Sequence, residues 1–258
     1  MIRFFTILLL LAAPAAWADS VADKLTVAGI AEFTTACQAW DGARFVRARS
    51  LFQQACTNAT ATVTNYYWLG AAEFYRMLQL LGLPASAKNK LAAESALDAA
   101  VAALTQAVKL DGRHAESHAL LGTLYGLKIS DNALRAVWLG PRVMKEQELA
   151  LATGASNPRV QYLLGTSRFY TACGDDSRRE ALSTLLRAEK LFAAEAKTPA
   201  APLDPRWGRD SCLTFIGSTY EKLGQRPAAA EYFRQALALH PRDGLAQAGL
   251  KRVTHNSQ

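Results

Sequence analysis

A few short stretches of this chain carry the residue types that catalysis or metal binding would need. HAESH places His114 and His118 four residues apart, so on a helix both imidazoles share one face, as in a two-histidine metal pair. A zinc protease of the His-Glu-x-x-His type requires Glu directly after the first His; here Ala115 stands there and Glu116 comes one place late. Two ligands without a third do not make a site. GDDS (174–177) offers two carboxylates beside a glycine, but Asp and Ser ahead of a helix serve as caps for its free amides. Asn58-Ala59-Thr60 is a glycosylation sequon, relevant only in a host that glycosylates such sites. Cys37, Cys56, Cys173 and Cys212 contain no C-x-x-C, so dithiol redox and zinc-ribbon chemistry lack their signature. Glycine-rich phosphate loops and a G-x-S-x-G elbow are missing as well. No nucleophile, base and orienter come together, and the expectation is a chain that is not an enzyme, with no cofactor and no metal.

The elements that would carry these residues are best read from LTFIGSTYEKLGQRPAAAEYFRQALALHPRD, residues 213–243. Leu213, Ile216, Gly217 and Tyr220 recur on one helical face, Gly224 breaks the helix, and Pro227 sits at a favoured first-turn position of a second one. Ala229, Phe233 and Ala236 then repeat at helical spacing until Pro241. This pattern of Gly, Tyr, Gly, Ala, Phe, Ala and Pro resembles the helix-turn-helix unit of tetratricopeptide repeats, with Leu213 in place of the leading aromatic. The small residues let two helices approach; the aromatics fill what remains. The Leu-Gly doublet of a first helix recurs at Leu69-Gly70, Leu121-Gly122 and Leu164-Gly165, with Gly-to-Gly steps of 52, 43 and 52 residues. These exceed the unit length of ~34, so the units carry insertions. Second-helix patterns appear at Ala48-Phe52-Ala55, Ala100-Leu104-Ala107 and Ala181-Leu185-Ala188, and Asp23 to Cys37 supplies a first partner helix. His118 then falls where this unit carries a bulky packing side chain.

The expected fold is all-α, a right-handed helical-repeat solenoid of about five helix pairs, over residues 19–258 as a single domain. Residues 82–90 should turn into an extended second helix, and Gly140-Pro141 should break the next one. TPAAPLDPRWG (198–208) should be an ordered loop, and roughly Gly244 to Arg252 a C-terminal cap helix. Four cysteines allow three pairings. Cys37 and Cys56 fall on two antiparallel helices of one unit, which favours that pair and leaves Cys173 with Cys212, although regular packing would set the latter two near opposite helix ends.

MIRFFTILLLLAAPAAWADS has the form of an export leader: Arg3, an apolar run from Phe4 to Ala13, and Ala16-Trp17-Ala18 as a small-x-small cleavage site. Residues 1–18 are therefore expected to be removed, leaving a soluble periplasmic or secreted chain that begins at Asp19. The run is too short for a bilayer span, which needs ~20 residues, and no second long apolar stretch is expected, hence no integral membrane segment. Without Arg3 the formal charge falls from +7 to +6. The basic balance could suit nucleic acid or anionic lipid, but the basic residues are scattered, with no block of like charge, which points to solvated faces and not to a nucleic-acid partner.

A helical solenoid exposes its first helices as a concave groove, and the resemblance implies partner binding there. Counted from the Leu-Gly doublets, the groove should present Tyr67, Ala71, Phe74, Ala119, Thr123, Tyr162, Thr166, Phe169, Ser218 and Glu221, with Arg159 at a rim and Tyr75 and Tyr170 beside it. Rings beside small hydroxyl residues suit a peptide or a partner's helix. The competing reading is that insertions or the rings themselves fill the groove as core. The Lys/Asn set with which some relatives clamp a C-terminal carboxylate is absent. The leading functional expectation is an exported adaptor or scaffold for protein partners in the cell envelope. The alternative is a small-ligand-binding accessory of a solute transport system, with a pocket of Trp68, Phe74, Tyr162 and Phe169.

Overall fold

A computed structural model describes residues 20–129 and 132–255. The expected leader, residues 1–18, lies outside the described residues. Every described element is a helix, and they come in antiparallel pairs: α1 (Val21–Ala39) with α2 (Gly42–Cys56), α3 (Val63–Leu81) with α4 (Ala87–Leu110), and α5 (Ala115–Ile129) with α6 (Ala133–Gly154). α7 (Pro158–Thr171) pairs with α8 (Asp175–Glu195) and α9 (Arg209–Lys222) with α10 (Arg226–Leu239), while α11 (Gly244–His255) packs on the last pair. Each odd helix also touches the next odd helix, so the first helices of the units line one side of the stack and the second helices back them.

Local chemistry sets the ends of these elements. Ser20, Asp41, Ser86, Asn132 and Asn157 each place a side-chain oxygen on a first-turn amide. Close approach explains two glycines. A Cβ on Gly70 would lie 2.5 Å from Leu104 Cγ, and one on Gly217 would lie 2.8 Å from the Phe233 ring, so the ring or leucine of each second helix occupies the space that the glycine of the first leaves. Gly122 is looser, its nearest neighbour being Glu146 Cβ at 3.4 Å.

Two expectations about the insertions need correction. Pro141 does not break a helix: α6 runs through it for 22 residues. The i→i−4 bond that Pro141 cannot make would have gone to the carbonyl of Val137, and both residues are exposed, so the freed carbonyl stays open to solvent. Also, α4 is by length and composition alone apolar enough to cross a membrane. Much of that apolarity is alanine, and the stripe Ala93, Ala96, Ala100, Leu104 and Ala107 is buried in the stack.

The stack curves until its ends meet. Arg242 Nη1, in the α10–α11 turn, donates to the Ala39 carbonyl at the end of α1 (2.9 Å). The His240 ring lies 5.7 Å from Trp40, centroid to centroid, and the Asp210 charge at the start of α9 reaches Cys37. A single apolar core runs from Phe33 to Ile216, and a second one, around Phe233, seats α11.

Candidate partner-binding groove

The inner side of the stack is occupied by the chain itself. The connection between α8 and α9 crosses it as an irregular strap, with a hydrogen-bonded turn at residues 201–204. Its Leu203 carbonyl accepts a hydrogen bond from Trp68 Nε1 (3.0 Å), and its Trp207 donates from Nε1 to the Tyr67 hydroxyl (2.9 Å). The Trp207 ring is 7% exposed and packs edge-on against Tyr75 (5.6 Å) and Tyr162 (6.5 Å). Gly208 turns the chain into α9 at φ +97°, beneath Tyr162 and Phe192. Two links tie down the far end of the strap: Arg206 Nη1 donates to the Glu195 carbonyl (2.5 Å) and the Ala201 amide to Asp204 Oδ2 (2.8 Å).

Beneath the strap lies a buried polar cluster. Tyr67 donates its hydroxyl proton to Glu116. The other oxygen of Glu116 accepts from Asn157 Nδ2 (2.7 Å) and Arg159 Nε (2.8 Å). Arg159 then pairs with Glu195 through both terminal nitrogens, one of them at 3.0 Å. Arg159 and Glu116 are 3% and 6% exposed. Burial disfavours the guanidinium charge, but Glu116 and Glu195 outweigh it, and Arg159 holds its proton more tightly than usual. Burial pushes the Tyr67 hydroxyl well above its ordinary value, and Glu116 adds to this, so the phenol stays a donor. One planar cation between two carboxylates thus joins α5, α7 and α8, with a bridging tyrosine from α3. This cluster fixes geometry; it does not expose a reactive group.

These facts place the residues expected to line an open groove. Tyr67, Phe74, Arg159, Tyr162, Thr166 and Phe169 are all buried, and Arg159 is an internal bridge, not a rim. Thr123 is half-buried, hydrogen-bonds the Ala119 carbonyl within α5 and faces the junction of α5, α6 and α7. Trp68, Phe74, Tyr162 and Phe169 do not line a common hollow: Trp68 packs on Phe33 and Phe52, and Tyr162 on Trp207. The reading in which inserted chain and rings fill the curve is therefore correct at the level of α3 and Tyr162.

Towards α9 the inner side is open. Phe169, Tyr170 and Phe215 form a ring cluster with centroids 5.3 to 5.7 Å apart, and Tyr170 is 67% exposed. Lys222 Nζ sits 4.0 Å above the Phe169 ring. Ser218 is half-buried on the same helix, and Glu221 is held by Arg252 of α11 through two bonds of 2.7 and 2.8 Å. Of the expected positions, Tyr170 and Phe169 are brought together, and Ser218 lies on the helix that carries Phe215; Glu221 belongs to the seat of the cap helix. Trp207, Glu195 and Phe215 were not foreseen.

The other candidates for chemistry resolve into structure. His118 Nδ1 meets Glu146 Oε2 (2.6 Å) and its Nε2 the Gly112 carbonyl (3.0 Å), while His114 Nδ1 meets Ser117 Oγ (2.8 Å) under Tyr67. Burial lowers the basicity of His114. Among the described residues no three His, Cys, Asp or Glu side chains converge on a metal position. At the start of α8 it is Ser177 that accepts from the Gly174 amide (3.1 Å), while Asp175 and Asp176 pair with Arg178 and Arg179. The disulfide expectation fails, since all four cysteines are free thiols. Cys37 ends α1 at one edge of the hairpin and Cys56 ends α2 at the other, about 20 Å away by helix rise, beyond the ~7 Å that a bridge spans. Cys173 follows α7 and Cys212 begins the parallel α9, again at opposite ends. Burial pushes the Cys56 thiol up to about 12 and those of Cys37 and Cys212 well above the usual value, the opposite of an activated nucleophile.

Comparison with known proteins agrees with this architecture. The family model described as Tetratricopeptide repeat matches residues 211–243. No curated protein sequence matches the chain. In fold it is similar to the HusA haemophore of Porphyromonas gingivalis, with 17% identity and a TM-score of 0.61 over 79% of this chain and 94% of that one. It is also similar to a thermophilic TPR protein of Thermus thermophilus, with 14% identity and a TM-score of 0.58 over 87% and 98%. One unit, residues 211–243, is thus matched in sequence as a tetratricopeptide repeat, and the whole stack is similar in fold to a tetratricopeptide-repeat protein.

Proposed function

We propose that this protein is an exported adaptor that holds a segment of another cell-envelope protein on its inner side, beside Tyr170 and Phe215. The strap carries the reading. A proline-rich stretch without regular secondary structure lies across the inner helices, with the carbonyl of Leu203, in its turn, caught by an indole and its Trp207 seated among rings. A surface that orders an irregular segment of its own chain has the chemistry to order one from a partner. The same kind of lining continues uncovered at α7 and α9, where Tyr170 and Lys222 offer an aromatic face and a cation. Rigid rings give contact area at low entropy cost, as recognition surfaces require.

Export rests on the leader-like first 18 residues, with Arg3, the apolar run and Ala16-Trp17-Ala18. Cell fractionation with sequencing of the mature N-terminus tests it: a periplasmic chain beginning at Asp19 supports it, and a cytoplasmic chain that keeps Met1 overturns it. Recognition is tested by Tyr170→Ala and Lys222→Glu. Both positions are exposed, so the variants should fold as the parent and lose a specifically captured partner. Undiminished capture would move the binding surface elsewhere.

A further inference from the structure

The first half of α6 is a helix face without a cover. Leu134, Val137, Trp138 and Met144 are 77, 70, 78 and 63% exposed. At 100° per residue, together with Pro141, they fall within one arc of about 120°, which is a continuous apolar stripe. α6 is seven residues longer than its partner α5. The start of α6 is tied to the end of α5 by a tight turn, in which the Asn132 amide donates to the Ile129 carbonyl (3.0 Å) and Arg135 Nη1 to the Lys128 carbonyl (3.3 Å). A soluble chain seldom presents so many large apolar side chains along one helix face.

The charges along the first half of α6 are basic, and the exposed Glu148 follows on the same arc one turn beyond Met144. Residues 132–145 contain Arg135, Arg142 and Lys145 and no acid. Arg142 and Arg135 flank the stripe at one margin and Lys145 lies within it. The antiparallel pairing brings the α3–α4 turn to the same edge of the stack, and there Leu83 and Leu91 are 40 and 68% exposed beside Lys88 and Lys90, with Glu94 one turn further along α4. Two apolar tips along one edge, each with two or more cations beside it, describe a surface that meets something flat, apolar beneath and negative on top.

We propose that this edge docks on an anionic phospholipid bilayer, with the first half of α6 lying in the headgroup layer. Leu134, Val137 and Met144 enter the acyl boundary, the Trp138 indole takes the interfacial level, and Arg142 and Lys145 reach up to phosphates. A lysine inside the stripe is tolerated because its stem lies along apolar surface while the ammonium snorkels to the headgroups. A protein groove would need a carboxylate placed for each of these cations; a bilayer supplies anions at every lateral position. This inference does not depend on the adaptor reading, since the open inner side at α7 and α9 carries different residues.

Vesicle co-sedimentation of the mature chain tests the proposal. Wild type should pellet with phosphatidylcholine vesicles containing phosphatidylglycerol and far less with phosphatidylcholine alone, the binding falling as salt rises. Val137→Glu/Trp138→Glu should abolish it, and each of Arg142→Gln and Lys145→Gln should weaken it about fivefold. Trp138 emission should shift to the blue on binding, and Trp138→Phe should lose the shift while it keeps most of the binding. Because all these positions are exposed, unchanged far-UV circular dichroism will confirm that the variants fold. No binding to anionic vesicles at low salt overturns the proposal, as does binding that Val137→Glu/Trp138→Glu leaves intact. Reversible dimerisation in sedimentation equilibrium that the same double variant abolishes, without vesicle binding, would assign the face to a second copy instead.

Discussion

Truncation of Trp207 separates a strap that is part of the core from a loop that merely rests on it. In Trp207→Ala the lost ring is 7% exposed, packed against Tyr75 and Tyr162, and hydrogen-bonded to the Tyr67 hydroxyl. Removal of a buried tryptophan costs about 3–5 kcal/mol, from lost transfer free energy and the cavity left behind. The hydrogen bond accounts for about 1 kcal/mol of this, because Tyr67 keeps Glu116 as its acceptor. Trp207→Phe, which retains most of the ring and loses only the donor and some volume, should therefore cost about 1–2 kcal/mol. Against a typical domain stability of 5–15 kcal/mol the alanine variant is a large perturbation. Guanidinium unfolding followed by far-UV circular dichroism gives both numbers, with an unchanged slope confirming two-state comparison. A cost below about 1 kcal/mol for the alanine variant would show that the strap contributes no core, and the inner side would have to be redrawn as open.

Three more expectations follow from the same geometry. Arg159→Leu leaves buried Glu116 and half-buried Glu195 without their shared cation, and should cost about 3–5 kcal/mol in the same unfolding assay; a cost near zero would mean the cluster is solvated. His240 is held above its ordinary value by its hydrogen bond to Asp210, against the opposing effect of burial. The stabilisation is complete below about pH 6.5 and is lost as pH rises through the raised value, so the stability gap between wild type and His240→Gln should narrow with rising pH; a gap that widens would refute the assignment. Thiol titration of the native chain should find one fast group, abolished in Cys173→Ser, and four after denaturation without reductant. Fewer than four would reveal disulfides.

The helix pairs were legible in the sequence because each unit repeats a steric requirement: a small residue where helices touch and a ring or leucine where they do not. Gly217 against Phe233 and Gly70 against Leu104 are local statements of that kind. What the strap does was hidden for the opposite reason. TPAAPLDPRWG reads as an ordered loop, but the partners of Trp207 lie 140 residues upstream at Tyr67, and no local spacing encodes a contact of that range. The same holds for Arg159, which counting placed at a rim; its buried role depends on Glu116 and Glu195, each on a different helix. Pro141 misled because a proline is tolerated on an exposed helix side. The cysteine pairing failed because antiparallel helices of one unit share a face but not their ends.

Recognition on the open inner side is tested most directly by a photo-crosslinking residue placed at Tyr170, activated in the producing cells, with the same residue at Glu231 on the exposed outer side of α10 as control. A discrete adduct with one envelope protein from position 170, missing from position 231 and reduced by Lys222→Glu, is the predicted result. Adducts of equal intensity from both positions, or none from position 170 in a folded, exported chain, would contradict it.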